Sequence, residues 1–183
     1  LVKSITMSSM VYRLGELYHV PVYETPVGFK YISPVMMGQD ALAAGEESGG
    51  YAFRGHIPER DGILSGLYLL DLLSRTGRSP SELMGQLFEK VGPHFFNRLD
   101  VPFRAEQSVE TKGKMDSQRP ETLGGLRVIG RDEIDGVRFH LQGGAWVLVR
   151  FSGTEPLLRI YAEASSQDQV DRLLEDARGM VNV

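Results

Sequence analysis

The sequence predicts two units of different class: an α/β unit built on a parallel sheet, then a small antiparallel-sheet α+β unit with helical cover. Three observations carry that reading. The first residues run as strand, amphipathic helix and strand, the β-α-β order from which parallel sheets are built. The C-terminal part holds four apolar runs at hairpin spacing, followed by one amphipathic helix. Between the two lies a stretch, 106–118, too polar for a large contribution to a core.

Residues 2–7 read as a strand. Residues 10–18 read as a helix, because Met10, Val11, Leu14 and Leu17 recur at helical spacing and Ser8 or Ser9 can cap its start. Residues 19–24 return as a short strand through Val20, Val22 and Tyr23. A glycine-containing loop at 26–30 leads into 31–44, which is short and mixed and holds a short helix. Residues 45–62 are long, polar and rich in glycine, a composition that inside a compact domain is functional or disordered. Residues 63–74 form a strongly apolar helix, and Ser79 with Pro80 starts another that reaches Val91, the serine as N-cap and the proline in the first turn. Residues 92–120 read as a connector with an extended segment through Phe95, Phe96, Leu99, Val101 and Phe103. Beyond it, 126–131, 137–141, 145–151 and 157–164 are strands, with Asp135-Gly136 and Gly143-Gly144 as turn signals. Residues 167–180 close the chain as a helix with Val170, Leu173, Leu174 and Ala177 on one face. The expected division is 1–91, a connector 92–120, and 121–183.

Composition narrows the function. With 183 residues, 42% of them hydrophobic and 24% charged, the chain has enough apolar material for one or two cores. No apolar run is long enough to cross a bilayer and no basic start leads into an apolar leader, so the expectation is a soluble, cytoplasmic chain without a membrane partner. The absence of cysteine removes disulfides, thiol nucleophiles and thiolate metal sites, and fits a reducing compartment. A net charge of -4 argues against nucleic acid, whose binders present a basic face. His19, His56, His94 and His140 are scattered and form no pair at metal-ligand spacing. The first residue is Leu1 and the first strand has no lead-in, so the chain is expected to be cut from something longer.

Two loops carry chemistry. Arg150-Phe151-Ser152-Gly153-Thr154-Glu155-Pro156, followed by Leu157-Leu158-Arg159, sits between two apolar strands. Each guanidinium can fork onto two phosphate oxygens, Ser152 and Thr154 add hydroxyls, and Gly153 can let backbone N–H groups turn inward as an anion nest. Charge-assisted hydrogen bonds contribute about 1.5–3 kcal/mol each, so three or four would hold a phosphomonoester. A polar β-turn with its arginines on solvent fits the same spacing. The second loop, Gly45-Glu46-Glu47-Ser48-Gly49-Gly50, pairs carboxylates with a hydroxyl and suits the vicinal hydroxyls of a sugar. A solvated loop is the competing reading, and Glu46 with Glu47 could face a cation, although nothing nearby completes a metal set.

Together these loops resemble one family, the α-D-phosphohexomutases, meaning phosphoglucomutase, phosphomannomutase and their relatives. The motifs that carry the resemblance stand in family order: Thr25-Pro26-Val27-Gly28-Phe29-Lys30, the loop 45–50, Arg60-Asp61-Gly62, and the loop 150–156 with Arg159. It covers the C-terminal half of such an enzyme, most of a Rossmann-like third domain, α/β in three layers, and the whole fourth. The resemblance implies that Glu46 and Ser48 bind sugar hydroxyls, with Gly28, Lys30 and Arg60 beside them. It implies that Arg150, Ser152, Gly153, Thr154 and Arg159 hold the phosphate that is not being transferred. The family reaction moves a phosphoryl group between O1 and O6 of a hexose through a hexose 1,6-bisphosphate, using a phosphoserine loop and an Mg²⁺ loop in the first and second domains.

Neither the Thr-Ala-Ser-His-Asn-Pro-like serine loop nor the Asp-Gly-Asp-x-Asp-Arg metal loop occurs here. The expectation is a hexose phosphate partner, missing N-terminal domains, no metal ligands in this chain, no catalytic residue beyond an electrostatic role for Arg60, and no turnover by the chain alone. Two positions depart from the pattern. Some bacterial members carry histidine where this chain has Gly50, which would move proton handling elsewhere, conceivably to His56, and phosphoglucomutases often carry lysine where Arg60 stands. Glu47 between Glu46 and Ser48, in place of glutamine, leans toward glucose or mannose phosphates over glucosamine phosphate. A non-catalytic phosphosugar-binding module and a structural domain with decorative loops are the alternatives.

Overall fold

Four short strands, β1 (Val2–Ser4), β2 (Tyr23–Thr25), β3 (Ala43–Gly45) and β4 (Tyr51–Phe53), form a sheet in the order β2-β1-β3-β4. Strand β1 runs parallel to β2 and to β3, while β3 and β4 form an antiparallel hairpin. The computed structural model describes residues 1–102, 108–153 and 155–181. It divides into two units, Leu1–Gly92 and Pro93–Val183.

In the first unit, helix α1 (Met10–Tyr18) links β1 to β2 and helix α2 (Phe29–Gly38) links β2 to β3. The two steps go in opposite directions along the sheet, so right-handed crossovers place the helices on opposite faces. Helix α2 presses Phe29, Ile32 and Met36 onto Val2, Ala41, Ala44 and Ala52. Strand β1 is shorter than the expected 2–7 because the chain turns at its end, Met7 N–H donating to the Ser4 carbonyl at 3.0 Å. The next strand starts at Tyr23 because His19, at φ 55°, closes α1 in the left-handed conformation. Residues 45–62, read as one loop, contain β4. Helix α3 (Gly62–Thr76) starts on Asp61, whose carboxylate accepts from Leu64 N–H at 2.9 Å, and ends on Gly77 at φ 64°. Helix α4 (Pro80–Val91) opens with a complete capping box between Ser79 and Glu82.

The second unit is a six-stranded antiparallel sheet of β5 (Phe95–Pro102), β6 (Thr122–Leu123), β7 (Leu126–Asp132), β8 (Val137–Leu141), β9 (Trp146–Phe151) and β10 (Leu157–Ala164). Its order is β5-β10-β9-β8-β7-β6. Helix α6 (Gln167–Val181) lays Val170, Leu173, Leu174, Ala177 and Val181 on it. The segment 92–120 is therefore more than a connector. Strand β5 pairs along its whole length with β10, Phe95 opposite Ala164 and Pro102 opposite Leu157. Helix α5 (Ser108–Ser117) adds Met115 to the same core, a contribution its polar composition hides. The chain thus joins an α/β unit to an antiparallel α+β unit, the fold class its sequence predicts.

Candidate functional site

The glycine loop of the first unit is built around Glu46, which follows directly on β3 and is only 3% exposed. Its Oε1 accepts from the backbone N–H of Gly28 at 2.8 Å, and Arg60 Nη1 stands 3.5 Å from Oε2. Gly28 is the N-cap of α2, so the carboxylate lies at the helix end where negative charge is stabilised. At φ 120° Gly28 adopts a backbone that strains any side chain. The turn is closed by Glu46 N–H on the Gly50 carbonyl at 3.0 Å and Gly49 N–H on the Glu46 carbonyl at 3.1 Å. Ser48 stands exposed at its tip.

Glu47 points elsewhere. Its Oε2 accepts from the Thr6 hydroxyl at 3.1 Å, and Thr6 in turn lies 3.0 Å from the hydroxyl of Ser4, the last residue of β1, both of them buried. The two carboxylates of the loop therefore serve different partners and do not face one cation. Arg60 lies with its guanidinium carbon 5.9 Å from the Phe29 ring centre and its stem over Gly50. A Cβ at position 50 would come within 3.2 Å of Arg60 Cδ and 3.5 Å of the Phe29 ring, so this arginine fills the space that a side chain there would need. His56 is occupied at the start of α3, Nε2 2.9 Å from Asp61 Oδ2. Lys30 is exposed, with Nζ 4.8 Å from the centre of the Tyr31 ring.

In the second unit, Arg150 at the end of β9 and Arg159 in β10 are direct cross-strand partners. Two like charges opposite one another are unfavourable, and carboxylates surround them. Arg150, 8% exposed, pairs with Asp135 at 3.1 Å. Arg159 pairs with Glu155 at 2.8 Å and lies 3.7 Å from Asp100. Among the described residues, the Nε atoms of both arginines are buried without a hydrogen-bond partner. A buried guanidinium N–H with no acceptor is costly, and an added oxyanion would relieve it. Ser152 N–H donates to the Leu157 carbonyl at 2.8 Å, which pins the loop base. Gly153 is exposed with open space at its Cβ position, and it does not take the left-handed backbone that a nest centred on it would use. Thr154 lies outside the described residues.

Family models match most of the chain. The family model for Phosphoglucomutase/phosphomannomutase, alpha/beta/alpha domain III, matches residues 1–91, and that for the Phosphoglucomutase/phosphomannomutase C-terminal domain matches 108–180. The chain belongs to the phosphoglucomutase/phosphomannomutase family. It is 29% identical to a phosphoglucosamine/phosphogalactosamine mutase of Sulfurisphaera tokodaii, over 99% of this chain and 38% of that one. It is 28% identical to a phosphoglucomutase/phosphomannomutase of Thermococcus kodakarensis, over 96% and 36%. A crystal structure assigned as a phosphomannomutase, from Thermus thermophilus, superposes with a TM-score of 0.80 at 36% identity, covering all of this chain and 36% of its own. The chain thus spans a little over a third of the length of these relatives.

The resemblance to the phosphohexomutases names Glu46 together with Gly28, which holds it, but not the residues that hold Glu47, Arg150 and Arg159. Asp135 and Gly136 registered only as a turn, yet Asp135 is the counter-ion of Arg150. Thr6, Ser4 and Asp100 had no local signal, because their partners come from distant segments. Among the described residues no three histidine, cysteine, aspartate or glutamate side chains converge to hold a metal ion, so the family's Mg²⁺ has no fitting donor set in them. No described helix is long and apolar enough to cross a membrane.

Proposed function

We propose that this chain is the phosphosugar-recognising part of a phosphohexomutase that interconverts hexose 1-phosphate and hexose 6-phosphate. Glu46 and Ser48 orient the ring, with Gly28 fixing Glu46 and Lys30 and Arg60 supplying positive charge beside it. Arg150, Ser152, Gly153, Thr154 and Arg159 hold the phosphate that stays in place. Arg60 acts electrostatically, since a guanidinium does not give up its proton near neutral pH. The phosphoserine, the Mg²⁺ and the passage through hexose 1,6-bisphosphate belong to polypeptide outside these 183 residues.

One observation supports this most directly: two arginines adjacent across β9 and β10, each with a buried Nε lacking a hydrogen-bond partner among the described residues. Among the described residues those two N–H groups have no acceptor in hydrogen-bond geometry, and a phosphate would supply one. Calorimetry on the 183-residue chain with glucose 6-phosphate and mannose 6-phosphate tests it. Weak binding is expected, because the relatives' remaining length is absent. Arg150→Ala and Arg159→Ala should each weaken it about 10- to 100-fold, the loss of one charge-assisted contact, with an unchanged circular dichroism spectrum. Unchanged affinity in both variants removes the clamp, and no binding by the parent chain favours a purely structural role. Glucosamine 6-phosphate belongs in the same titration, since hexosamine mutases are among the relatives, and tighter binding of the amino sugar would reverse the lean toward glucose or mannose.

A further inference from the structure

Two neighbouring carboxylates tie the glycine loop down at two different places. Glu46 holds it to the start of α2, and Glu47 holds it to the end of β1 through the Thr6 hydroxyl. The parallel register of β1 and β3 ends at Lys3 and Gly45, and past that pair the side-chain bond from Thr6 to Glu47 continues the join. Thr6 is itself fixed on both sides. Ile5 N–H donates to the Thr25 carbonyl at 2.9 Å and Met7 N–H to the Ser4 carbonyl at 3.0 Å, and Thr6 is fully buried between them. Chemistry sets the direction of the protons. An ionised carboxylate only accepts, so Thr6 gives its single hydroxyl proton to Glu47 and accepts from Ser4, 3.0 Å away. The relay Ser4–Thr6–Glu47 therefore runs one way, from the end of β1 to the loop.

We propose that Thr6 and Glu47 are positioning residues for sugar recognition, their hydrogen bond holding the loop in the shape that presents Glu46 and Ser48 to a hexose. This rests on the proposed reading that Glu46 and Ser48 orient the ring. Three of the six residues at 45–50 are glycine, so the loop has much conformational freedom to lose, and anchors that remove it beforehand lower the cost of binding. Glu46 anchors the loop toward α2 and Glu47 toward β1, which leaves Ser48 exposed at the tip of a turn closed by the Glu46 and Gly49 N–H groups. Glu47 thus acts on the choice of sugar through the shape of the loop. Direct contact between Glu47 and the sugar is the rival role.

Thr6→Val keeps the side-chain shape and removes the hydroxyl, Glu47→Leu removes the acceptor, and Glu47→Gln keeps an acceptor without the charge. Each is made in the 183-residue chain and titrated by calorimetry with glucose 6-phosphate, mannose 6-phosphate and inorganic phosphate, which has no ring to position. Thr6→Val and Glu47→Leu should each bind the hexose phosphates about tenfold more weakly, as the loss of one hydrogen bond to a charged group implies, and bind inorganic phosphate as the parent does. Their Glu46 and Gly49 amides should exchange about tenfold faster, the loop opening more often. Glu47→Gln should stay within about twofold of the parent in both respects, its amide oxygen accepting from Thr6. Glu47 is only half-buried, so Glu47→Leu decides the matter even where Thr6→Val does not fold. A parent chain that binds hexose phosphates no tighter than inorganic phosphate removes the ring-orienting reading and this inference with it. Where the parent does discriminate, undiminished discrimination in Thr6→Val and Glu47→Leu overturns the inference alone. An equal loss for hexose phosphate and inorganic phosphate also overturns it, because that marks a general disturbance of the fold. A loss in Glu47→Gln as large as in Glu47→Leu, or weaker binding with unchanged amide exchange, assigns Glu47 to direct contact with the sugar and likewise overturns the positioning role.

Discussion

Gly136 has φ 98°, and a Cβ built on it would lie 2.4 Å from the Val149 carbonyl oxygen and 2.6 Å from Arg150 Cβ. The tip of the β7–β8 hairpin therefore rests on the backbone that carries Arg150, with Asp135 beside it as counter-ion. Gly136→Ala combines an unfavourable φ with a backbone clash. It should cost upwards of about 1 kcal/mol in urea unfolding and also weaken hexose phosphate binding, since Arg150 must shift. Unaltered stability would show that the hairpin moves aside freely. Asp61 offers a second residue-scale test. The Leu64 N–H first, and then His56, hold its carboxyl below the ordinary carboxylate range. A carboxyl depressed in the folded state stabilises above its unfolded value, about 3.9, and loses that contribution as pH falls through the folded one. The gap in thermal midpoint between the parent chain and Asp61→Asn should be widest near neutral pH and close below about pH 4. A gap independent of pH would mean that the charge is immaterial. At this scale the sequence was legible where a residue type is chemically loud, as with Glu46 or the two arginines. It was silent for Gly136, which looks like any hairpin glycine until β9 is placed beneath it.

At the scale of elements, α1 is readable to within a residue from its periodicity, although Ser9 makes no side-chain cap, and α4 from periodicity and cap together: Ser79, Pro80 and Glu82 announce a helix start from sequence alone. Since α4 buries no residue, its first turn depends heavily on that cap. Ser79→Ala should cost about 1 kcal/mol locally and speed amide exchange at Glu82, and exchange as slow as in the parent would show that tertiary contacts carry the turn instead. Strand β5 was harder to read. Its side chains alternate, but its partner β10 lies far along the chain and no turn joins them, so nothing local distinguishes it from an extended linker. The three-residue strands β3 and β4 fall below the length at which alternation can be recognised, and glycines on both sides mask them further. The loop at 45–50 is legible in the sequence, and the hairpin that displays it is not.

For the molecule as a whole, the proposed reading assigns recognition to this chain and phosphoryl transfer to other polypeptide. The isolated chain should produce no detectable interconversion of glucose 1-phosphate and glucose 6-phosphate, or of the mannose pair, even with Mg²⁺ and hexose 1,6-bisphosphate supplied. Turnover by a preparation free of contaminating mutase would sink that expectation, and with it the assignment of the serine and metal loops to other polypeptide. The pairing of Arg150 with Arg159 bears on how such a protein can change over time. Side chains alternate along a strand, so a single-residue insertion or deletion inside β9 or β10 would turn one arginine to the opposite face of the sheet or force a bulge, whereas one in the connecting loop leaves both on the same face. The loop is thus free to vary in length as well as in composition. It is the register of the two strands, not the count of residues between the guanidiniums, that a lineage keeping this pair has to inherit.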